Sequence, residues 1–183
     1  METGKNASSF IYKNSQGETL KNMQSTTHSF LNIGFRTPLF DDKLNANFGL
    51  GHFSYGTIGS DEALDGILEW NTDYLEFSTG VDYSLFAVGD ASFYLKGLFS
   101  AGMFLKGNQT LNNELFNLKN ADDFNHGMFS FKAGAGFIFS VSERLSFYVQ
   151  YLIGKSLNQS GNTDHESLRI KSHNIGLGVM IFL

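Results

Sequence analysis

Large apolar residues alternate with glycine or small polar residues along seven stretches of the chain, most regularly in the last stretch, residues 167–183. Because successive side chains of a strand point to opposite faces, this pattern predicts strands with one bulky apolar face and one small face. In the last stretch the apolar face comprises Ile175, Leu177, Val179, Ile181 and Leu183. The small face includes Asn174, Gly176 and Gly178.

The pattern predicts eight strands in all, joined by connections that alternate in length. Short connections lie at 38–42, 87–90 and 142–143, and long polar connections at 14–26, 55–70, 106–126 and 156–166. The predicted strands are 7–13, 27–37, 43–54, 71–86, 90–105, 127–141, 144–155 and 167–183. The first strand has the poorest pattern, and we leave open whether it is complete. A length of 183 residues favours a single domain, 1–183.

The fold depends on which face points inward. Eight strands enclose a space only just wide enough for side chains, and the apolar face is too bulky for it because 19 of the residues are Phe. Glycines would weaken strands that faced solvent, but they suit a tight lumen. We therefore predict an all-β, eight-stranded antiparallel up-and-down transmembrane β-barrel with short periplasmic turns and longer extracellular loops. A soluble barrel with the apolar face inside is the alternative.

The strand pattern and the loop asymmetry of residues 27–183 resemble those of the small eight-stranded outer-membrane barrels, which include the OmpA transmembrane domain and OmpX-type proteins. The resemblance implies an integral protein of the Gram-negative outer membrane, in contact with its lipids and lipopolysaccharide. It also implies that the barrel-assembly machinery recognises the C-terminal strand. That family ends on a terminal aromatic residue, whereas here Leu183 is last and Phe182 lies one place earlier.

Five charged residues fall on the small, inward face. A buried charge must be paired and hydrogen-bonded, or it costs several kcal/mol. Asp82 and Lys96 flank the turn at 87–90 almost symmetrically, so we predict that they form a salt bridge across neighbouring strands. The network favours a plugged lumen, with a narrow channel as the alternative. Its predicted members are Arg36, Glu76, Asp82, Lys96 and Lys132.

His52 and Ser54 lie on the apolar face near one end of a strand, and Asp73 lies on the same face of the next strand. A serine beside a histidine that a carboxylate orients is the arrangement needed for acyl transfer. It is similar to that of outer-membrane lipid A deacylases, which are barrels with a lipid-facing His-x-Ser motif. In that family the motif lies nearer the C-terminus and is followed by Asn; here Tyr55 follows.

Composition narrows the function further. A net charge of −5 provides no basic surface for nucleic acid, and the sequence contains no metal-ligand spacing, so we expect neither a metal nor another cofactor. Apolar residues at 111–118 suggest either a partner or a loop that folds onto the barrel mouth.

We expect a non-enzymatic barrel with a structural or recognition role through its extracellular loops, as an accessory subunit of an envelope complex. A lipid A or phospholipid acyl hydrolase is the alternative.

Overall fold

The structure, a computed structural model, describes residues 1–13, 16–20, 22–40, 43–61, 66–120, 127–157, 159–160 and 167–182. Eight strands of the described chain form the barrel: β1 Glu2–Lys13, β2 Gln24–Pro38, β3 Leu44–Asp61, β4 Gly66–Val88, β5 Ala91–Leu111, β7 Met128–Ser142, β8 Leu145–Ser156 and β10 Ser167–Ile181. Two shorter strands are β6 Glu114–Asn117, which is followed by the 3₁₀ helix Leu118–Asn120, and β9 Gln159–Ser160. No helix among the described residues is both long and apolar enough to cross a membrane.

The barrel closes through its first and last strands. Each barrel strand pairs antiparallel with its neighbour, and β1 pairs with β10 from Glu2 opposite Gly178 to Lys13 opposite Ser167. This confirms the predicted eight-stranded up-and-down topology. The first strand begins at Glu2 rather than at the predicted residue 7.

The outer surface carries the apolar face of the strands. Phe131 is 57% exposed and Phe137 is 41% exposed, although both are large aromatic residues. Exposed apolar residues on β2 to β5, β7, β8 and β10 continue this surface and form the apolar belt: Leu31, Ile33, Phe35, Leu50, Phe77, Val81, Leu95, Phe139, Phe147, Ile153, Ile175 and Leu177. The predicted orientation, with the apolar face outward, is confirmed.

Glycines on the inner face make room for lumen side chains. A Cβ atom on Gly178 would collide with the ring of Tyr148, and one on Gly136 would collide with Tyr94. The alternation of small and apolar residues therefore has a steric cause, since these glycines leave space for the large inward side chains of the residues paired with them on the neighbouring strand.

The prediction of a long loop at 55–70 is wrong. β3 continues to Asp61, and β4 begins at Gly66, so the two strands remain paired from Tyr55 opposite Thr72 to Asp61 opposite Gly66. The apolar residues change faces here, with Tyr55 and Trp70 buried inside the barrel. A strand that leaves the bilayer has water outside, so its apolar residues must turn inward to be buried.

These inward residues form a core at the long-loop end of the lumen. Its buried members are Phe10, Phe30, Phe53, Tyr55, Leu68, Trp70, Tyr74, Leu118, Met128, Leu168 and Ile170. Leu118 comes from the 3₁₀ helix after β6, so this part of the loop folds into the barrel mouth. Leu115 and Phe116 of the same loop remain exposed. The barrel is therefore filled by aromatic packing at one end and by polar side chains below it.

Candidate functional site in the barrel lumen

Asp82 lies at the centre of the first polar cluster, toward the short-turn end. The guanidinium of Arg36 donates two hydrogen bonds to it, from Nε to Oδ2 at 2.9 Å and from Nη2 to Oδ1 at 2.6 Å. Asn47 donates to Oδ2 at 2.7 Å and Asn45 to Oδ1 at 3.3 Å. The buried carboxylate is therefore both charge-paired and hydrogen-bonded, which offsets its desolvation.

The predicted salt bridge between Asp82 and Lys96 is wrong, although the two residues lie directly opposite each other on β4 and β5. Arg36 reaches Asp82 across β3, where Asn45 and Asn47 lie between them. The planar guanidinium matches both carboxylate oxygens, a geometry that an ammonium group cannot reproduce. Lys96 Nζ instead lies 3.5 Å from Oε1 of Gln150.

Gln150 connects the second polar cluster. Its Oε1 accepts a hydrogen bond from Tyr94 at 2.9 Å, and its Nε2 donates to Oε1 of Glu2 at 2.7 Å. The hydroxyl of Tyr148 donates to the other oxygen of Glu2 at 3.3 Å. A neutral amide thus lies between the Lys96 ammonium and the Glu2 carboxylate. Among the described residues the network contains three cations and three anions, because Glu2 joins the five predicted charges.

Glu76 and Lys132 form the third cluster, directly below the aromatic core. Lys132 Nζ donates to Oε2 of Glu76 at 2.6 Å, and both side chains are almost completely buried. Tyr55 donates to the other oxygen of Glu76. The ammonium also lies 3.8 Å from the centre of the Phe53 ring, within the range of a cation–π interaction. Among the described residues, Glu76 and Lys132 form the most deeply buried ion pair of the lumen.

The three clusters lie in the lumen between the short turns and the aromatic core. A small cavity between the second and third clusters, lined in part by Asn32, Ser100 and Asn174, has room for about one water molecule. Sequence reasoning missed Glu2 and Tyr55. The residues Glu2, Gly4, Asn6 and Ser8 continue the small polar alternation, and this signal could have located the start of β1 and its inward glutamate.

The predicted catalytic group is partly assembled on the outer surface. Asp73 lies opposite Ser54 across β3 and β4, and its Oδ2 lies 3.8 Å from His52 Nε2. Lys106 Nζ lies 3.5 Å from the same oxygen. No hydrogen bond joins the hydroxyl of Ser54 to His52 within the described parts of the chain. The structure thus brings a carboxylate to the histidine, but it does not link the histidine to the serine nucleophile that acyl transfer requires.

Comparison with solved structures identifies the fold. OprG, an outer membrane protein from Pseudomonas aeruginosa, matches 99% of this chain and 95% of its own at 14% identity, with a TM-score of 0.52. The chain has the fold of the eight-stranded outer-membrane β-barrels. Neisserial surface protein A matches 99% of this chain and 96% of its own at 10% identity, with a TM-score of 0.49. Ail of Yersinia pestis matches 96% and 97% at 13% identity, with a TM-score of 0.34.

No protein-family model and no curated protein matches the sequence of this outer-membrane barrel. Its membrane location follows from the fold together with the apolar belt, since an exterior of exposed Phe, Leu and Ile is the surface that lipid requires. Short turns join β4 to β5 and β7 to β8 at one end, and the strands extend furthest at the other end.

Leu183 of the predicted C-terminal signal lies outside the described residues. Within the described ranges, no group of three His, Cys, Asp or Glu side chains is arranged to hold a metal ion. The exposed Ile175, Leu177 and Ile181 retain the alternation of the C-terminal strand.

Proposed function

We propose that the protein is a plugged, non-conducting outer-membrane barrel that acts in recognition through its extracellular end, as an accessory subunit of an envelope complex. The observation that supports a plugged lumen is the stack of three polar clusters beneath a packed aromatic core, in which each charged side chain is paired or hydrogen-bonded. A channel would need a continuous aqueous path, and the Glu76–Lys132 pair lies across that path with both side chains buried. The narrow-channel alternative therefore gains no support from this arrangement.

We expect the purified barrel to show no steady ion conductance in planar bilayers, because moving an ion through the lumen would require breaking the Glu76–Lys132 pair. Glu76→Gln and Phe77→Leu form a matched pair of variants, since Glu76 faces the lumen and its neighbour Phe77 faces lipid. A steady wild-type conductance that changes in Glu76→Gln and not in Phe77→Leu would show an ion path through the lumen and overturn the plug.

The recognition role rests on the part of the sheet that extends beyond the belt. β4 contains 23 residues and β5 contains 21, against 12 in β8, and β6 adds a short strand beside β5. In this extension Ile67 is 64% exposed and Leu115 is 68% exposed. Ile67 lies on the same face of β4 as Glu69. Glu69 is opposite Thr110 on β5, and Thr110 is opposite Leu115 on β6, so the register places Ile67 and Leu115 together on the outer face of the extension. Exposed apolar side chains above a membrane surface are suited to a protein partner.

Co-purification from native membranes after chemical cross-linking tests this role. We expect a stoichiometric envelope protein with the wild type, and we expect it to be lost when Ile67 and Leu115 are both replaced by Ser, since the partner would bury these side chains. Phe40→Ser is the control, because Phe40 is 93% exposed beside the short turn that joins β2 to β3, at the opposite end of the barrel. Loss of the partner from the Phe40→Ser control as well, or retention of the partner by both the control and the Ile67/Leu115 double variant, would refute recognition through this extension.

Two further partners belong to this proposal. The belt contacts outer-membrane lipids, with lipopolysaccharide on the side of the long connections, and the barrel-assembly machinery recognises the alternating C-terminal strand. The group of His52, Ser54 and Asp73 supports no hydrolase function here, because the histidine and serine side chains are not hydrogen-bonded and the group includes no evident oxyanion stabiliser.

A further inference from the structure

Two lysines face each other on the outside of the barrel. Lys155 of β8 and Lys171 of β10 are direct partners in the antiparallel register, and both side chains are exposed. Opposite residues in such a pair have Cβ atoms about 5 Å apart, so two positive charges in this position repel each other and destabilise the sheet. Among the described residues, neither lysine forms a salt bridge, whereas Lys106 on the same outer surface lies 3.5 Å from Asp73.

The lysine pair lies where the apolar belt ends on the side of the long connections. On β8, Tyr151 and Ile153 lie on the same face as Lys155 and closer to the middle of the belt. On β10, Ile175 and His173 lie in the same way relative to Lys171. The Tyr151 hydroxyl is hydrogen-bonded to His173 Nδ1 at 2.6 Å. Tyrosine is enriched at the level of lipid headgroups. The two lysines therefore lie beyond this tyrosine, at the edge of the apolar belt on the side of the long connections.

We propose that Lys155 and Lys171 together bind a phosphate group of lipopolysaccharide in the outer leaflet. A phosphate monoester carries close to two negative charges at neutral pH, which matches two ammonium groups held side by side by the register. Ile153 lies two residues before Lys155 on the same face of β8, and Phe131 lies beside Lys155 on β7, so an apolar surface for the lipid's acyl chains continues directly from the charge pair. Binding removes the repulsion between the lysines, and this gain favours a dianion over a singly charged phosphodiester.

The proposal rests on the orientation given under the proposed function, with the long connections outside the cell, but not on the plug. Native mass spectrometry of the folded barrel in detergent can compare three added lipids: diphosphorylated lipid A, dephosphorylated lipid A and phosphatidylglycerol. We expect preferential binding of the diphosphorylated lipid. The double variant Lys155→Gln/Lys171→Gln should lose this binding by about tenfold or more, since each interfacial lysine contributes measurably to attraction of anionic lipid.

Lys106→Gln is the matched control, because it removes one exterior charge that Asp73 already balances; its binding should equal that of the wild type. The conservative double variant with Arg at both positions should retain binding, since it preserves the charge. The shift in gel migration on heating reports folding independently of lipid binding. If the double variant does not fold, the single variants Lys155→Gln and Lys171→Gln replace it, and each is expected to lose part of the binding.

Unchanged binding in the glutamine variants would overturn the site. Equal binding of dephosphorylated lipid A would show that acyl contacts alone hold the lipid, and equal binding of phosphatidylglycerol would show a generic anionic surface; either result rejects the proposal. The bilayer conductance measurement and the co-purification of a partner test the proposed function without reference to the phosphate site. Failure of the phosphate site can therefore be distinguished from failure of the proposed function.

Discussion

Replacing Lys132 with Met is expected to destabilise the folded barrel by about 3–5 kcal/mol, because it leaves the Glu76 carboxylate buried without its countercharge. Lys132 and Glu76 are joined at 2.6 Å and are shielded from solvent by the aromatic core. The substitution also removes the ammonium group from the Phe53 ring. The measurement is the free energy of unfolding from urea titrations of the barrel in lipid vesicles.

The double variant Lys132→Met/Glu76→Gln should recover much of the lost stability, since no unpaired charge then remains in the lumen. Lys106→Met serves as the control, because this lysine is 78% exposed on the outer surface; its effect should stay within about 0.5 kcal/mol. If the single Lys132 variant were no less stable than the double variant, the Glu76–Lys132 pair would not be an energetically coupled unit, and the plug would lose its main electrostatic element.

Replacing Phe137 with Arg is expected to cost about 2–4 kcal/mol of folding free energy in lipid. Phe137 points outward from β7 and lies against Phe93 with ring centres 4.9 Å apart, within the apolar belt. A guanidinium at this depth would have to leave water for hydrocarbon. Folding titrations into vesicles measure the loss directly.

Two substitutions on the same strand test whether membrane depth is the cause. Phe137→Leu should have a small effect because the side chain stays apolar. Val141→Arg should cost about 0–1 kcal/mol, since Val141 is exposed near the turn between β7 and β8, where the charge can reach water. Equal costs for arginine at 137 and at 141 would mean that the belt does not lie at the depth proposed for it.

The lumen shows how far prediction from local pattern extends. The inward positions of Arg36, Glu76, Asp82, Lys96 and Lys132 follow from alternation alone, because each strand residue has only two faces to occupy. Their partners do not follow from it. Arg36 reaches Asp82 over an intervening strand, and Lys96 turns toward Gln150 even though Asp82 is its direct neighbour in the register. Side-chain length and donor geometry across the closed lumen decide these pairs, and no sequence spacing encodes them.

The part of β3 and β4 beyond the apolar belt shows where the meaning of the alternating pattern changes. Inside the bilayer the apolar residues face outward to lipid, but beyond it Tyr55, Trp70 and Leu68 face inward to a core. The alternation of an outward apolar face breaks at this reversal, because the surroundings of the strand change from lipid to water. The sequence pattern therefore predicts a loop at 55–70, where the structure has paired strands.

Side-chain parity and local turns are enough to predict the all-β class, the outward apolar face and the short turns at one end of the barrel. The register in which β1 pairs with β10, the inclusion of Glu2 in the charge network and the side-by-side placement of Lys155 and Lys171 become visible only in the folded barrel. These features join residues that are far apart in the chain, and they arise from the register in which the strands close around a lumen of limited width.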